Sequence, residues 1–213
     1  MPKETFFNLP EGKRKTIEDV AIEEFSEYSL DNASINRIVD KAKISKGSFY
    51  QYFEDKKDLF LYLMELMKEE KMKYISPVYL HPEKYDFFTF MREIYREGMK
   101  FALSNPKLMK IGHQFLKNRN SPAYKEALGE AVEQAHVMYE AILKMGVSKG
   151  ELREDIDLDY TSHMLLSMNI AISEYWFSKI GDDYDRMLGM RDTMEETVDQ
   201  FIDLIRKGLE VEK

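Results

Sequence analysis

The sequence predicts an all-α protein: an N-terminal three-helix head followed by a C-terminal helical domain, about nine helices in all. Three observations predict it. Apolar residues recur at spacings of three and four through most segments, the period of a helix with one buried face. The breaks between segments carry helix-starting and helix-ending residues, such as Asn105-Pro106 and Ser121-Pro122. No strand pattern, internal repeat or low-complexity tract is visible.

Composition narrows the class. The chain has 213 residues, 44% hydrophobic and 33% charged, as in a globular protein of one large or two small domains. It has no cysteine, so disulfides, thiolate catalysis and cysteine metal sites are excluded. The N-terminus lacks a signal-peptide pattern, and no segment approaches about 18 consecutive apolar residues. A cytoplasmic protein without a membrane span is expected.

Taken in order, residues 1–9 read as a flexible leader. A first helix runs from Pro10-Glu11 to Tyr28, with Ile17, Val20, Ala21, Phe25 and Tyr28 on its buried stripe. Lys13, Arg14 and Lys15 at its start either touch phosphate or are simply solvated. Two short helices follow within residues 34–53. Ser34 caps the first, whose stripe is Ile35, Ile38, Val39 and Ala42. Ser45 caps the second, where Phe49 and Phe53 face inward. Its opposite face carries Gly47, Ser48, Tyr50 and Gln51. A polar face on a two-turn helix backed by aromatics suits a major-groove reader, but the spacing alone equally fits an ordinary helical hairpin.

Asp55 caps a long helix from Lys56 to about Ile75, ending before Pro77, with Ser76–Pro82 as a loop. Lys56, beside the free N–H groups of that helix start, is placed for phosphate. Further helices are predicted over 86–103, 107–117, 121–145 ending at Gly146, 158–179 capped by Asp157, and 191–209. Gly181-Asp-Asp183 separates the last two.

The run Ser45-Lys46-Gly47-Ser48-Phe49-Tyr50-Gln51-Tyr52-Phe53, followed by Lys56 and Leu59-Phe60, resembles the DNA-binding helix-turn-helix of the TetR family of bacterial transcription regulators. Tyr-x-Tyr-Phe-x-x-Lys-x-x-Leu is its most specific part. The resemblance covers residues 10–60 and implies a DNA-binding domain there, with residues 61–213 forming an effector-binding and dimerisation domain. It implies DNA contacts from Ser34, Lys46, Gly47, Ser48, Tyr50, Gln51, Tyr52 and Lys56. It also implies a homodimer on a palindromic, double-stranded operator, a repressor released by a small-molecule effector, and no other cofactor. The long helix from Lys56 would couple the two domains. One departure stands out: Lys43 occupies a turn position where the family usually has glycine, at a cost of up to about 1 kcal/mol if φ is positive there.

The net charge of −8 is ill-suited to DNA, but residues 35–57 hold six basic residues against three acidic ones. A basic window on an acidic body can bind phosphate through that window alone. The four histidines, His81, His113, His136 and His163, share no helix-face spacing suited to a metal, and no paired catalytic carboxylates or glycine-rich phosphate loop occur.

Methionine and aromatic residues are abundant in the C-terminal part. Met67, Tyr95, Met99, His113, Phe115, Tyr139 and Asn169 are candidates to line a pocket for an apolar or amphipathic ligand, although plain core is the commoner place for any one of them. The last two helices show broad apolar faces, marked by Leu165, Met168, Ile172 and Trp176 and by Met194, Val198, Phe201 and Ile205. Two such helices per subunit can close a four-helix bundle in a homodimer. An activator or partner-dependent regulator with the same head, or an all-α enzyme, remains the alternative.

Overall fold

A computed structural model describes residues 1–181 and 186–211, with no account of the side chains of residues 126–128 and 187–188. Gly181 closes a helix, while Asp182 and Asp183 of the expected linker lie outside the described residues. The described chain forms eleven α-helices and one short 3-10 turn: α1 (Glu4–Phe7), α2 (Glu11–Glu27), α3 (Ile35–Ala42), α4 (Lys46–Tyr52), α5 (Lys56–Tyr79), the 3-10 turn (Pro82–Lys84), α6 (Phe87–Ser104), α7 (Pro106–Asn118), α8 (Pro122–Ser148), α9 (Leu158–Ile180), α10 (Arg186–Gly189) and α11 (Arg191–Leu209). The only β-pairing among the described residues is an isolated bridge between Leu152 and Glu210.

The helices divide into two compact units. One holds residues 1–70 and 105–129, the other 71–104 and 130–213. This differs from the expected split at residue 60, because α7 and the start of α8 pack with the head. Tyr124 shows why. Its ring is buried against Phe60 and Phe115, at 5.5 and 5.9 Å between centroids. Its hydroxyl accepts the Leu30 N–H at 3.1 Å, which ties the first turn of α8 to the turn before α3.

The expected flexible leader is instead a built part of the head. Phe6 is fully buried, with Phe53 and Tyr62 rings at 4.8 and 5.3 Å. Burying one such side chain is worth about 1.5–3 kcal/mol, and hydrogen bonds from Lys3 and Thr5 to residues 50–52 add to the hold on the segment. On α2, Ile17, Ala21 and Phe25 face inward as expected. Tyr28 does not: as the C-cap residue it leaves the stripe and is exposed.

Two expected helix ends move. α5 passes through Pro77 to Tyr79. A proline so close to the end removes only one helical hydrogen bond, and the turn closes beyond it through Leu80 N–H to Ser76 O at 2.9 Å. α8 passes through Gly146 to Ser148, and the left-handed residue is Gly150, at φ 69°. Gly146 serves packing: a Cβ there would lie 2.7 Å from Leu152 Cδ1 and 2.9 Å from Phe87 Cδ2.

In the second unit α11 lies on α6. Arg92 Nε donates to Asp199 Oδ1 at 2.7 Å, the Tyr95 and Phe201 rings meet at 5.3 Å, and Arg206 sits 4.4 Å over Phe88. Met194, Val198, Phe201 and Ile205 are therefore core residues, all buried, and not the dimer face that their apolar spacing suggests. Asp157 caps α9 by accepting the Tyr160 N–H at 3.0 Å, as expected.

Candidate nucleic-acid interface

The site is assembled by caps and by one buried carboxylate. Ser34 Oγ accepts the Arg37 N–H at 3.4 Å, and Ser45 Oγ accepts the Ser48 N–H at 2.9 Å, so both motif helices start where a short side chain satisfies a free donor. Ile38, Val39 and Ala42 of α3 and Phe49 of α4, with Phe53 just beyond it, are buried. Between the helices Lys43 takes φ 52°, ψ 45°, so the strained left-handed turn is real and a lysine carries it.

Glu24 on α2 is the residue that sequence reasoning missed. It is 1% exposed and accepts from Ser34 N at 2.7 Å and from Arg37 Nε and Nη2 at 2.9 and 2.5 Å. Arg37 also stacks 4.0 Å over the Tyr28 ring. The hydrogen bond to Glu24 raises the Arg37 pKa against the opposing effect of burial. The available signal was position: Glu24 lies three residues beyond Ala21 on the inward stripe, and a buried carboxylate needs a partner.

These pairings sort the basic window. Arg37 is held by Glu24, and Lys41 Nζ by Glu23 Oε1 at 2.9 Å. Lys56 Nζ donates to the Asp31 and Ala33 carbonyls at 2.6 and 3.2 Å, which fastens the start of α5 to the turn before α3. Lys56, which the sequence assigns to phosphate, thus also acts as a tether within the head. Its helix start is closed by protein groups, with the Asp58 N–H on Asp55 Oδ1 at 2.8 Å and the Glu54 N–H on Asp58 Oδ2 at 3.1 Å. Lys43 and Lys46, by contrast, are exposed, and their ammonium groups make no hydrogen bond or ion pair among the described residues.

The outward face of α4 presents Lys46, Gly47, Tyr50 and Gln51, all exposed. Ser48 is half-buried and shares a 2.8 Å contact with Ser45 Oγ. Tyr52 is off this face: it is 7% exposed and packs on Phe6, so its expected place among the contacts is corrected to a core position. At Gly47 an added Cβ would meet only Ser45 Oγ, at 3.6 Å. Packing within the protein does not demand glycine there, and the space it leaves is on the outside.

This is a helix-turn-helix whose second helix offers unpaired polar groups to an approaching duplex. Residues 17–63 match the model for bacterial regulatory proteins of the tetR family, and residues 85–210 match that for the tetracyclin repressor-like C-terminal domain. The chain belongs to the TetR family. Over 192 residues it is 27% identical to YvdT of Bacillus subtilis strain 168, an uncharacterized HTH-type transcriptional regulator, covering 87% of this chain and 89% of that one. It is similar along the whole of both chains to the crystal structure of a TetR family transcriptional regulator from Chloroflexus aurantiacus J-10-fl, at 29% identity and TM-score 0.75. FadR of Bacillus subtilis, solved in complex with stearoyl-CoA, shares the fold at 18% identity and TM-score 0.67, over 86% of this chain and 96% of that one. The chain is therefore a TetR-type transcriptional regulator and not an enzyme.

The expected pocket residues do not gather in one unit of this TetR-family chain. Met67, His113 and Phe115 belong to the unit containing the head; Tyr95, Met99, Tyr139 and Asn169 belong to the other. In the second unit the buried Tyr95 hydroxyl and Trp176 Nε1 lack a partner of hydrogen-bonding geometry. Burial, with the neighbouring Tyr139 hydroxyl, holds the Tyr95 pKa well above the ordinary phenol value. A groove in the first unit is lined by Tyr28, Asn32, Gln114 and Asn118 among others. Among the described residues no group of three or more His, Asp or Glu side chains could hold a metal ion, and no helix is long and apolar enough to cross a membrane.

Proposed function

We propose that this TetR-family regulator is a repressor that grips a palindromic operator as a homodimer and releases it when an apolar or amphipathic small molecule binds the second unit. The exposed face of α4 carries the DNA half of the reading. Gln51 can pair bidentately with adenine, while the exposed Tyr50, Lys46 and Lys43 are assigned to phosphates. Lys46 and Lys43 are the cations of the motif that are left unengaged.

The dimer face we assign is on α9. Tyr160, Met164, Ser167, Ala171 and Tyr175 form one exposed stripe at helical spacing, with Tyr160 64% and Tyr175 46% exposed. Ser162, Leu165, Phe177 and Ile180 of the same helix are buried, and Met168, Ile172 and Trp176 are half-buried. Small and aromatic residues along one such stripe let two copies pack closely. For the effector, the buried Tyr95 hydroxyl and Trp176 Nε1, neither in a hydrogen bond of good geometry, favour a ligand with a long apolar body and a few hydrogen-bonding groups. That FadR shares the fold and was solved in complex with stearoyl-CoA supports an acyl-type ligand as the first to try.

Fluorescence anisotropy with DNA from upstream of the gene tests the reading. Operator binding should be tight and should fall on addition of long-chain acyl thioesters that also raise the melting temperature. Ligands that stabilise the protein and leave operator affinity untouched would sink the release mechanism.

A further inference from the structure

A helix of seven residues has few internal hydrogen bonds, and its last four carbonyls have no partner within it. On α4 these are Phe49, Tyr50, Gln51 and Tyr52. Phe49 O accepts from Phe53 N at 2.9 Å. The other three are all met by the N-terminal segment: Lys3 Nζ donates to Tyr50 O at 3.1 Å, the Thr5 hydroxyl to Gln51 O, and Lys3 N to Tyr52 O at 2.8 Å. The lysine ammonium stands where the helix dipole is negative. Phe6 holds the segment in place, its ring buried among Tyr52, Phe53 and Tyr62.

We propose that Lys3, Thr5 and Phe6 are positioning residues for DNA recognition: the N-terminal segment is a cap, supplied from outside α4, that orders its last turn and so sets the direction in which Tyr50 and Gln51 project. Two of the three carbonyls it satisfies belong to Tyr50 and Gln51, whose side chains face outward. With the cap removed, the last turn of α4 frays. A frayed turn must be re-ordered on the operator, and that cost is felt in specific binding, where side-chain placement matters. It is not felt in non-specific binding, which is set by phosphate charge. This inference rests on the DNA-binding reading above, and its test has one arm that does not use DNA.

The full chain is compared with Thr5→Val, which removes one donor at an exposed site without changing charge or shape. Amide hydrogen exchange at Tyr52 and Phe53 should quicken about threefold to tenfold, with α11 unchanged. Operator affinity should fall by a similar factor, with non-specific affinity and salt dependence unaltered, and Thr5→Ser should restore both. Unchanged exchange at the end of α4 overturns the cap. Faster exchange with undiminished operator affinity overturns the positioning role. A wild-type protein that binds no palindrome would defeat the DNA-binding reading instead, and the exchange arm would still decide the cap.

Discussion

Gln51 projects from α4 with its amide free, next to a glycine that packing inside the protein does not require. Gln51→Ala should cost about 1–3 kcal/mol on the preferred operator and little on non-specific DNA, measured by competition binding. Equal losses on both would show that Gln51 does not read sequence. Gly47→Ala should stabilise the head by up to about 1 kcal/mol through helix propensity, yet weaken operator binding, because the added methyl occupies the space left for the duplex. An alanine variant that binds as tightly as the parent would free that face from the interface. The lysines separate by their partners. Lys46→Ala should make the log–log salt slope shallower by about 1, whereas Lys56→Ala should leave the slope alone and lower head stability. Much of this was legible in the sequence: Ser34, Ser45, Phe49 and Phe53 do what their spacing implies. The tethering role of Lys56 and the buried place of Tyr52 were not legible because their partners, the Asp31 carbonyl and Phe6, are distant in sequence or lie in a segment with no periodic pattern.

Among elements, α1, α5 and α8 show what periodicity leaves out. α1 has four residues, too few for a repeating stripe, and is held by tertiary burial of Phe6. Pro77 and Gly146 read as helix ends on local grounds, but each sits inside its helix for a local reason: one forfeited bond near a terminus, and a close approach to Leu152 and Phe87. Gly146→Ala tests the second. Its Cβ collides with two buried side chains, so a loss of about 1–3 kcal/mol is expected despite the better helix propensity of alanine. A gain in melting temperature would mean that the α8 backbone has more room than the packing allows. The faces of α11 teach a related lesson. An apolar stripe tells that a face is buried, not against what, and Met194, Val198, Phe201 and Ile205 are buried within their own chain.

At the scale of the molecule, the proposed function has an acidic body with a small basic window direct DNA to the head, and a homodimer place two heads on one duplex. Met164→Glu, on the exposed α9 stripe, should produce a folded monomer with much weaker operator binding, seen by sedimentation and anisotropy. Phe201→Glu should instead destabilise the fold, since it buries a charge where a 6% exposed ring now meets Tyr95. A Met164→Glu dimer of undiminished affinity would place the interface elsewhere. The most direct measurement of the central claim is selection of bound sites from a random DNA library by the wild-type protein and by Gln51→Ala. The wild type should enrich a palindrome whose half-sites are spaced by about 10 base pairs or a multiple of that turn, with an adenine preference that the variant loses. No enriched palindrome, or one whose sequence is unchanged in the variant, would contradict recognition through the outward face of α4.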